Sequence, residues 1–509
     1  MLLSELLRQS GLDSAGGGDP EVTAVEYDSR QCRPGTLFVA VPGFHVDGHG
    51  FAAAAVQAGA VAVVAERTPI PAIPEDTPLL QVESARRALS ALAATLVGHP
   101  SRRMTVAGIT GTDGKTTTAT MLWAAWQAAG QKAASVTTVD LRIGGDVRPS
   151  AGRITTLEAT ELHRFLAKAA DAGCTRAVVE TSSHGLHLHR VDDVDYDLAV
   201  YTRITSEHLD IHGTREEYLR TKQRLLELVG TRPGGLAVLD RDDDFGYPRL
   251  AGMPVARRLT YSASGRPDAD LVAEDLRVDA RGVYFTAGTP WGRTEVRLRL
   301  AGTFNAANAL AALAAACGGG RAVEGGGIPL EAAVRGVGAL ERVTGRMERV
   351  DLGQDFSVVV DYAHTTAALE RVLGELREAT SGRLWAVFGS AGERDREKRG
   401  AMGRVAARLA DVIVVTDEDP RGEDRVLIVE EIASAAEAAG AARGAGLYLI
   451  PDRAEAVDFA IGRASAGDTV LLAGKGHERT IETAAGPVPW DERAEAEAAV
   501  RRRLGPGAG

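Results

Sequence analysis

Cysteine is scarce in this chain: Cys32, Cys174 and Cys317 are scattered and odd in number. That excludes a disulfide framework and a cysteine-built metal site. No apolar run approaches the roughly 20 residues that cross a bilayer, so no stable membrane insertion is expected. The opening Met1-Leu-Leu-Ser-Glu-Leu-Leu-Arg8 lacks the basic region and long apolar core of a signal peptide, and the expected location is the cytoplasm. No basic block offsets the net charge of −11, which argues against a nucleic-acid binder. Internal repeats are absent as well. What is present, 45% hydrophobic and 25% charged residues, is the composition of an ordinary globular protein.

A length of 509 residues exceeds what one hydrophobic core supports, and three domains are expected. In residues 1–98, runs 36–41 and 60–65 read as strands and 51–59 as an Ala-rich helix, which predicts a small α/β domain. Residues 99–103 read as a polar linker. The second block, 99–338, has strand-like runs at 104–109, 176–180, 198–202 and 235–239 between helical stretches. That alternation predicts a largely parallel sheet with helices on its faces. Its end reads as a helix over 305–317 and a mobile glycine-rich segment over 318–327. The third block, 339–509, has buried strands at 357–361, 384–388, 412–416 and 469–473, each ending in a polar or glycine-containing loop. Ligands of open α/β sheets bind at those carboxyl ends. Residues 505–509 read as disordered.

The most informative stretch is Thr110-Gly-Thr-Asp-Gly-Lys-Thr-Thr117, placed between a strand and a helical pattern over 118–129. Strand, glycine loop, Lys-Thr and helix make a phosphate cradle. Backbone N–H groups of Gly111, Thr112, Asp113 and Gly114 and the helix start, with Thr117, face the anion. Lys115 reaches terminal phosphates and the Thr116 hydroxyl can hold Mg²⁺. A nucleoside triphosphate is the expected ligand.

Other clusters are less specific. Glu180 ends a strand in the same block and suits a second Mg²⁺ ligand, or equally a surface carboxylate. Glu207-His-Leu-Asp-Ile-His-Gly213 concentrates two histidines and two carboxylates, as a metal site or simply a polar loop. It lacks the His-Glu-x-x-His arrangement of a zinc protease. Lys222 falls in an amphipathic helical pattern and by pattern alone reads as a solvated lysine. Asp417-Glu-Asp-Pro-Arg421 and Gly474-Lys-Gly-His-Glu478 each follow a strand. Together they offer a guanidinium and several carboxylates, a set suited to a zwitterionic amino acid, against the alternative of two charged loops.

These residues together resemble the Mur ligase family over nearly the whole chain, and within it the MurE-type members that add a diamino acid to UDP-N-acetylmuramoyl-L-Ala-D-Glu. The resemblance rests on the 110–117 loop, Glu180 with Ser182-Ser-His-Gly185, His208-Leu-Asp-x-His-Gly213 and Gly302-x-Phe-Asn305 with Asn308. Gly345-Arg-Met-Glu348, Asp361-Tyr-Ala-His364 and Gly474-Lys-Gly-His-Glu478 complete it. It implies an N-terminal domain for the UDP-precursor (1–98), a central ATPase domain (99–338) and a C-terminal Rossmann-like domain for the amino acid (339–509). The implied reaction phosphorylates the D-Glu γ-carboxylate with ATP and then lets the amine displace phosphate.

By resemblance, Lys115 clamps phosphates, and Thr116, Glu180, His208 and a carbamylated Lys222 hold Mg²⁺. Asn305, Arg346, Asp361 and His364 line the nucleotide. Ser29, Arg30, the 43–50 loop, Thr155, Thr156, Ser182 and Arg190 meet the UDP-precursor. Arg394, Glu418, Asp419, Pro420, Arg421, Gly474 and Glu478 surround the amino acid. A monomer is expected, with the UDP-muramoyl dipeptide and a free diamino acid as its partners.

The chain departs from the family pattern in places. Leu188 stands where a Gln is usual, Arg203-Ile-Thr-Ser-Glu-His208 replaces Asn-Leu-x-x-Asp-His, and Thr365-Thr-Ala367 replaces Thr-Pro-Asp. The Asp-Asn-Pro-Arg motif associated with meso-diaminopimelate is Glu418-Asp-Pro-Arg421. An ionised Asp419 cannot donate to a distal carboxylate and would repel it, while Arg421 could still bind one, so the expected acceptor is L-lysine or L-ornithine as much as diaminopimelate. Two alternatives remain at this point: a Mur-like ligase recruited to another precursor or acceptor, and a non-catalytic nucleotide-binding scaffold.

Overall fold

The structure is a computed structural model that describes residues 1–13, 16–43, 46–70, 72–150, 154–205, 212–279, 282–319 and 326–505. Two compact units emerge: Met1–Val272 with Leu310–Gly336, and Ala273–Ala309 with Val337–Gly509.

The first unit opens with four parallel strands in sequential order: β1 (Ala24–Glu26), β2 (Thr36–Ala40), β3 (Ala60–Ala65) and β4 (Leu79–Gln81). Helix Ala85–Leu96, capped by the Ser84 hydroxyl, packs Ala88, Leu89 and Leu92 against Leu37, Val39 and Val64 of this sheet. The expected polar linker is instead a 3₁₀ helix, Pro100–Arg103. Its Ser101 is buried, donates to the Asp195 carboxylate at 3.1 Å and accepts the Asp195 N–H. A hydroxyl with two partners orders a segment whose composition reads as loop.

Beyond it lie β5 (Thr105–Thr110), β6 (Ala133–Val136), β7 (Asp140–Ile143), β8 (Asp146–Pro149), β9 (Arg176–Glu180), β10 (Leu198–Tyr201), β11 (Leu236–Asp240), β12 (Arg257–Ser262) and β13 (Leu271–Asp279). The order is β13-β12-β11-β10-β5-β9-β6-β7-β8, parallel except at β7 and β8. Strands β6 to β9 lie on one side of β5 and β10 to β13 on the other, so the direction of sheet growth reverses at β5. The carboxyl ends of β5, β9 and β10 are therefore where a ligand crevice belongs.

β13 passes into the second unit, where β14 (Gly282–Thr289) and β15 (Gly292–Leu298) form an antiparallel hairpin. This unit's main sheet has β16 (Glu348–Val350), β17 (Ser357–Asp361), β18 (Leu384–Phe388), β19 (Val412–Val415), β20 (Leu447–Leu449) and β21 (Thr469–Ala473) in the order β16-β17-β21-β18-β19-β20. All pairs but β16–β17 are parallel. Alternate strand residues serve opposite faces. Val359, Ala386, Phe388, Ile413 and Leu471 meet helices Thr366–Ala379, Glu397–Leu409 and Arg425–Ala438. Val358, Val360, Trp385, Val414 and Val470 meet helices Arg453–Arg463 and Glu492–Leu504. Burial on both faces explains why these strands are continuous apolar runs. The hairpin β22 (Thr480–Thr483) and β23 (Gly486–Pro489) follows β21. The glycine-rich 320–325 and the terminal 506–509 lie outside the described residues.

Candidate active site

In the first unit, β5 ends at Thr110 and the chain turns through Gly111 to Gly114 into helix Lys115–Ala128. Gly111 has φ 149°, and a Cβ there would sit 1.8 Å from the Thr202 hydroxyl, so only glycine lets the loop lie against β10's end. Thr202 Oγ1 donates to the Thr110 and Asp113 carbonyls, and the Thr112 N–H donates to Arg203 O at 2.8 Å. Lys115 Nζ folds back onto Gly111 O (3.2 Å) and Thr112 O (2.7 Å).

Glu180, at the end of β9, is buried and accepts the Thr116 hydroxyl at 3.0 and 3.1 Å and the Thr138 N–H at 2.9 Å. It is no surface carboxylate. Lys222 corrects its sequence reading: the side chain is 1% exposed and donates to Gly111 O at 2.7 Å. Helix Arg215–Gly230 buries Tyr218, Leu219, Lys222, Leu225, Leu226 and Val229, so the lysine occupies an apolar-face position one turn after Tyr218. Its ammonium also lies 4.5 Å from the Tyr218 ring centroid. That spacing was legible in the sequence, where only the residue type spoke for solvent. Of the metal-ligand set, His208 lies outside the described residues. Hard oxygen donors at Thr116 and Glu180 suit Mg²⁺.

Next to Glu180, Thr156 Oγ1 donates to the Glu180 carbonyl at 2.9 Å and lies 3.0 Å from Ser182 Oγ. The Thr156 carbonyl accepts Arg190 Nη1 at 3.0 Å, and Arg190 Nη2 pairs with Glu158 at 2.6 Å. Thr155 directly precedes this group. Ser29 and Arg30 sit in a 3₁₀ turn of the N-terminal sheet, where Arg30 forks onto Asp28 and holds its carboxyl below the usual range. Tyr27, two residues earlier, has its hydroxyl pushed up to about 12 by burial and then by Glu158 and Glu161, and Glu26 at the end of β1 accepts Arg164 Nη1 at 2.6 Å. Sequence reasoning missed Glu158 and Arg86, whose Nη2 donates to Pro42 O at 3.4 Å. Neither stands in a motif the resemblance rests on. Leu188 is buried, and residues 44–45 of the 43–50 loop lie outside the described residues.

The second unit holds the remaining residues. Asn305 Nδ2 donates to Ala301 O at 2.6 Å and Asn305 Oδ1 accepts Asn308 Nδ2 at 2.9 Å. Asp361, ending β17, accepts the Met347 and Ala363 N–H groups at 2.7 and 2.8 Å; burial raises its pKa, opposed chiefly by Arg346. Tyr362 is a hub. Its ring centroid lies 4.8 Å from the Arg346 guanidinium, 4.5 Å from the His364 ring and 4.7 Å from the His477 ring, while Oη donates to Glu478 Oε1 at 3.3 Å. The Gly345 and Gly476 backbones meet closely: a Cβ on Gly345 would lie 2.3 Å from the His477 nitrogen.

The loops after β19 and β21 come together. Wholly buried Lys475 donates to Asp419 Oδ1 at 2.8 Å and to Glu478 Oε2. Asp419 Oδ1 also accepts the Glu482 N–H at 2.8 Å, and Gly392 N donates to Asp419 O. Asp419 thus has partners inside the protein that its neighbours in sequence do not reveal. Buried Glu418 has its carboxyl pushed up by desolvation, and its Oε2 has no hydrogen-bond partner among the described residues. Arg421 has φ 56°, a costly backbone for arginine, and a buried Nε without a partner. Pro420 lies between them, and Gly474 (φ 108°) would place a Cβ 3.6 Å from Glu418 Cγ. Arg394 is exposed on the 389–396 loop, which buried Arg399 anchors through Ala391 O, Glu423 and Glu431. Beneath both loops, Arg453 pairs with Glu492, fully buried, and donates to Asp417 O (2.7 Å) and Ala473 O (2.8 Å).

Set against known proteins, the chain matches "Mur ligase family, catalytic domain" over residues 21–96, "Mur ligase middle domain" over 109–316 and "Mur ligase, glutamate ligase domain" over 345–476. It is 46% identical over 502 residues to a UDP-N-acetylmuramyl-tripeptide synthetase of Roseiflexus sp. (strain RS-1), spanning 95% of each. The chain belongs to the Mur ligase family. A second Mur ligase relative, a UDP-N-acetylmuramoyl-L-alanyl-D-glutamate–2,6-diaminopimelate ligase of Geobacillus kaustophilus (strain HTA426), is 40% identical and spans 99% of each chain. A solved structure bearing that same ligase name matches with a TM-score of 0.66 and 30% identity, covering 99% of this chain and 100% of the other. The fold is thus the three-domain Mur ligase fold, α/β with a largely parallel central sheet.

Proposed function

We propose that this protein is an ATP-dependent ligase that joins a diamino acid to the D-Glu γ-carboxyl of UDP-N-acetylmuramoyl-L-Ala-D-Glu, a cytoplasmic step of peptidoglycan precursor synthesis. Its working parts are residues 1–98, 99–338 and 339–509. The observation that carries the reading is Glu180: its carboxylate takes the hydroxyl of the phosphate loop's Thr116, and its carbonyl takes that of Thr156, next to Ser182 and Arg190. One buried residue thus touches both the nucleotide group and the precursor group.

The loop 111–117 cradles ATP, and Lys115 exchanges its two carbonyl partners for phosphate oxygens when the nucleotide arrives. Asn305, Arg346, Asp361 and His364 serve the nucleotide as well. Thr116, Glu180, His208 and Lys222 as its carbamate would hold Mg²⁺, which supplies charge neutralisation between two anionic reactants. Ser29, Arg30, Thr155, Thr156, Ser182 and Arg190 bind the precursor and align its carboxylate with the γ-phosphorus. The carboxylate oxygen bonds to phosphorus as ADP leaves. The acceptor is held by Arg394, Glu418, Arg421, Gly474 and Glu478; its amine then attacks the acyl-phosphate carbon, forms the C–N bond, loses a proton and expels phosphate.

Phosphate release from ATP, measured with UDP-N-acetylmuramoyl-L-Ala-D-Glu and meso-diaminopimelate, L-lysine or L-ornithine in parallel, tests this. Turnover is expected only with precursor and acceptor both present. Silence with every acceptor, from protein that binds ATP, would sink the proposal.

A further inference from the structure

Resting on the ligase reading, the arrangement around Lys475 goes further than assigning an acceptor pocket. Four polar groups stand where the loops after β19 and β21 meet, and they divide into two kinds. Asp419 and Glu478 are already committed. Lys475 reaches both, the Glu482 N–H takes Asp419, and the Tyr362 hydroxyl takes the other oxygen of Glu478. Glu418 Oε2 and Arg421 Nε are buried and have no hydrogen-bond partner among the described residues. An uncompensated buried donor or acceptor costs more than a made hydrogen bond returns, so such atoms are the ones a ligand gains by satisfying.

We infer that Lys475 is a positioning residue for the acceptor: its ammonium, shared between Asp419 and Glu478, joins the Glu482 N–H in occupying Asp419 and fixes the Glu478 carboxylate, so that acceptors are distinguished at Glu418 and Arg421 and not at Asp419. The ammonium is wholly buried and its two carboxylate partners come from different loops, so it sets the distance between those loops as well as their charge. Glu478 is left with both oxygens engaged and a single orientation. Arg421 has a left-handed backbone whose N–H donates to Glu482 O at 2.9 Å, which ties it to the strand that follows the Lys475 loop. A carboxylate of the acceptor fits that guanidinium, and an ammonium fits the Glu418 carboxyl.

The test measures kcat and KM for the three acceptors in the intact enzyme with saturating ATP and precursor. D419N is expected to raise KM for all three by a similar factor, about 3- to 10-fold, and to leave their order and relative kcat/KM unchanged within about 3-fold. E418Q and R421K are expected to shift the ratios by 10-fold or more. K475M should raise acceptor KM strongly with ATP KM unchanged, and K475R should recover part of the loss. A 10-fold swing of preference toward diaminopimelate in D419N would overturn the inference alone, as would unchanged acceptor KM in a folded K475M. Should D419N not fold, unchanged ratios in E418Q and R421K overturn it equally. Wild-type protein inactive with every acceptor would instead remove the ligase reading beneath it.

Discussion

At the scale of the residue, two charged side chains of the proposed site are buried against expectation for their type. Glu180 needs partners in place of water, and finds them in Thr116, Thr138 and the strand end it sits on. Glu180→Gln keeps the volume but loses the anion; kcat is expected to fall by at least about 100-fold with thermal stability little changed, read by phosphate release and a melting curve. Lys222 sits on the apolar face of its helix with its ammonium on the phosphate-loop carbonyl. Carbamate forms from a neutral amine and carbon dioxide, so activity in degassed buffer should rise on adding bicarbonate, and more so at pH 8.5 than at 7. Lys222→Arg should show neither activity nor response. Bicarbonate-independent wild-type turnover would exclude the modification.

Elements hold these residues by a few close approaches and buried pairs. Gly111 allows the 110–117 loop to touch Thr202, and Gly345 with Gly476 lets the 345–348 and 474–478 loops share space in the second unit. The Arg453–Glu492 pair, with Arg453 on Asp417 O and Ala473 O, ties the carboxyl ends of β19 and β21 together from below. Removing one partner strands a buried charge. Arg453→Met is expected to cost about 3–5 kcal/mol in urea unfolding, and the double variant Arg453→Met/Glu492→Leu to recover much of it. Equal stability of the two variants would show the pair to be dispensable.

For the whole molecule, buried titratable groups away from the chemistry make stability depend on pH in opposing directions. His163 is fully buried with neither ring nitrogen hydrogen-bonded among the described residues, and burial, then His99, pulls it down to about 3. The unfolded imidazole protonates near 6.5 and the folded one near 3, so the unfolded state gains protons first. Stability from this group falls by about 1.4 kcal/mol per pH unit as pH drops below 6.5, levelling near 3. His163→Phe should flatten that slope. Asp240 is pushed up to about 7 by burial, against 3.8 in the unfolded chain. Here the folded state holds the proton longer, so the cost is full above pH 7 and is relieved as pH falls toward 3.8. Asp240→Asn should therefore raise Tm more at pH 8 than at pH 5; an equal gain would place its effect in packing rather than ionisation.

The sequence by itself determined the elements and their catalytic punctuation. Strands 176–180, 357–361, 384–388 and 469–473 are bounded by their own apolar runs, and the 110–117 loop announces its ligand because glycine, lysine and threonine at that spacing have few other uses. It also placed Glu180 and the loops 417–421 and 474–478 at strand ends, since alternation of strand and helix decides which end a loop leaves from. Tertiary structure alone decided partners. Charge on Asp419 looked decisive in one dimension, but its meaning depends on Lys475, 56 residues later, which packing buries beside it. Lys222 looked solvated because residue type outweighed its place on the apolar face. Glu158 and Arg453 were silent because a charged side chain's role is set by what faces it, and that is a property of the fold rather than of the neighbouring letters.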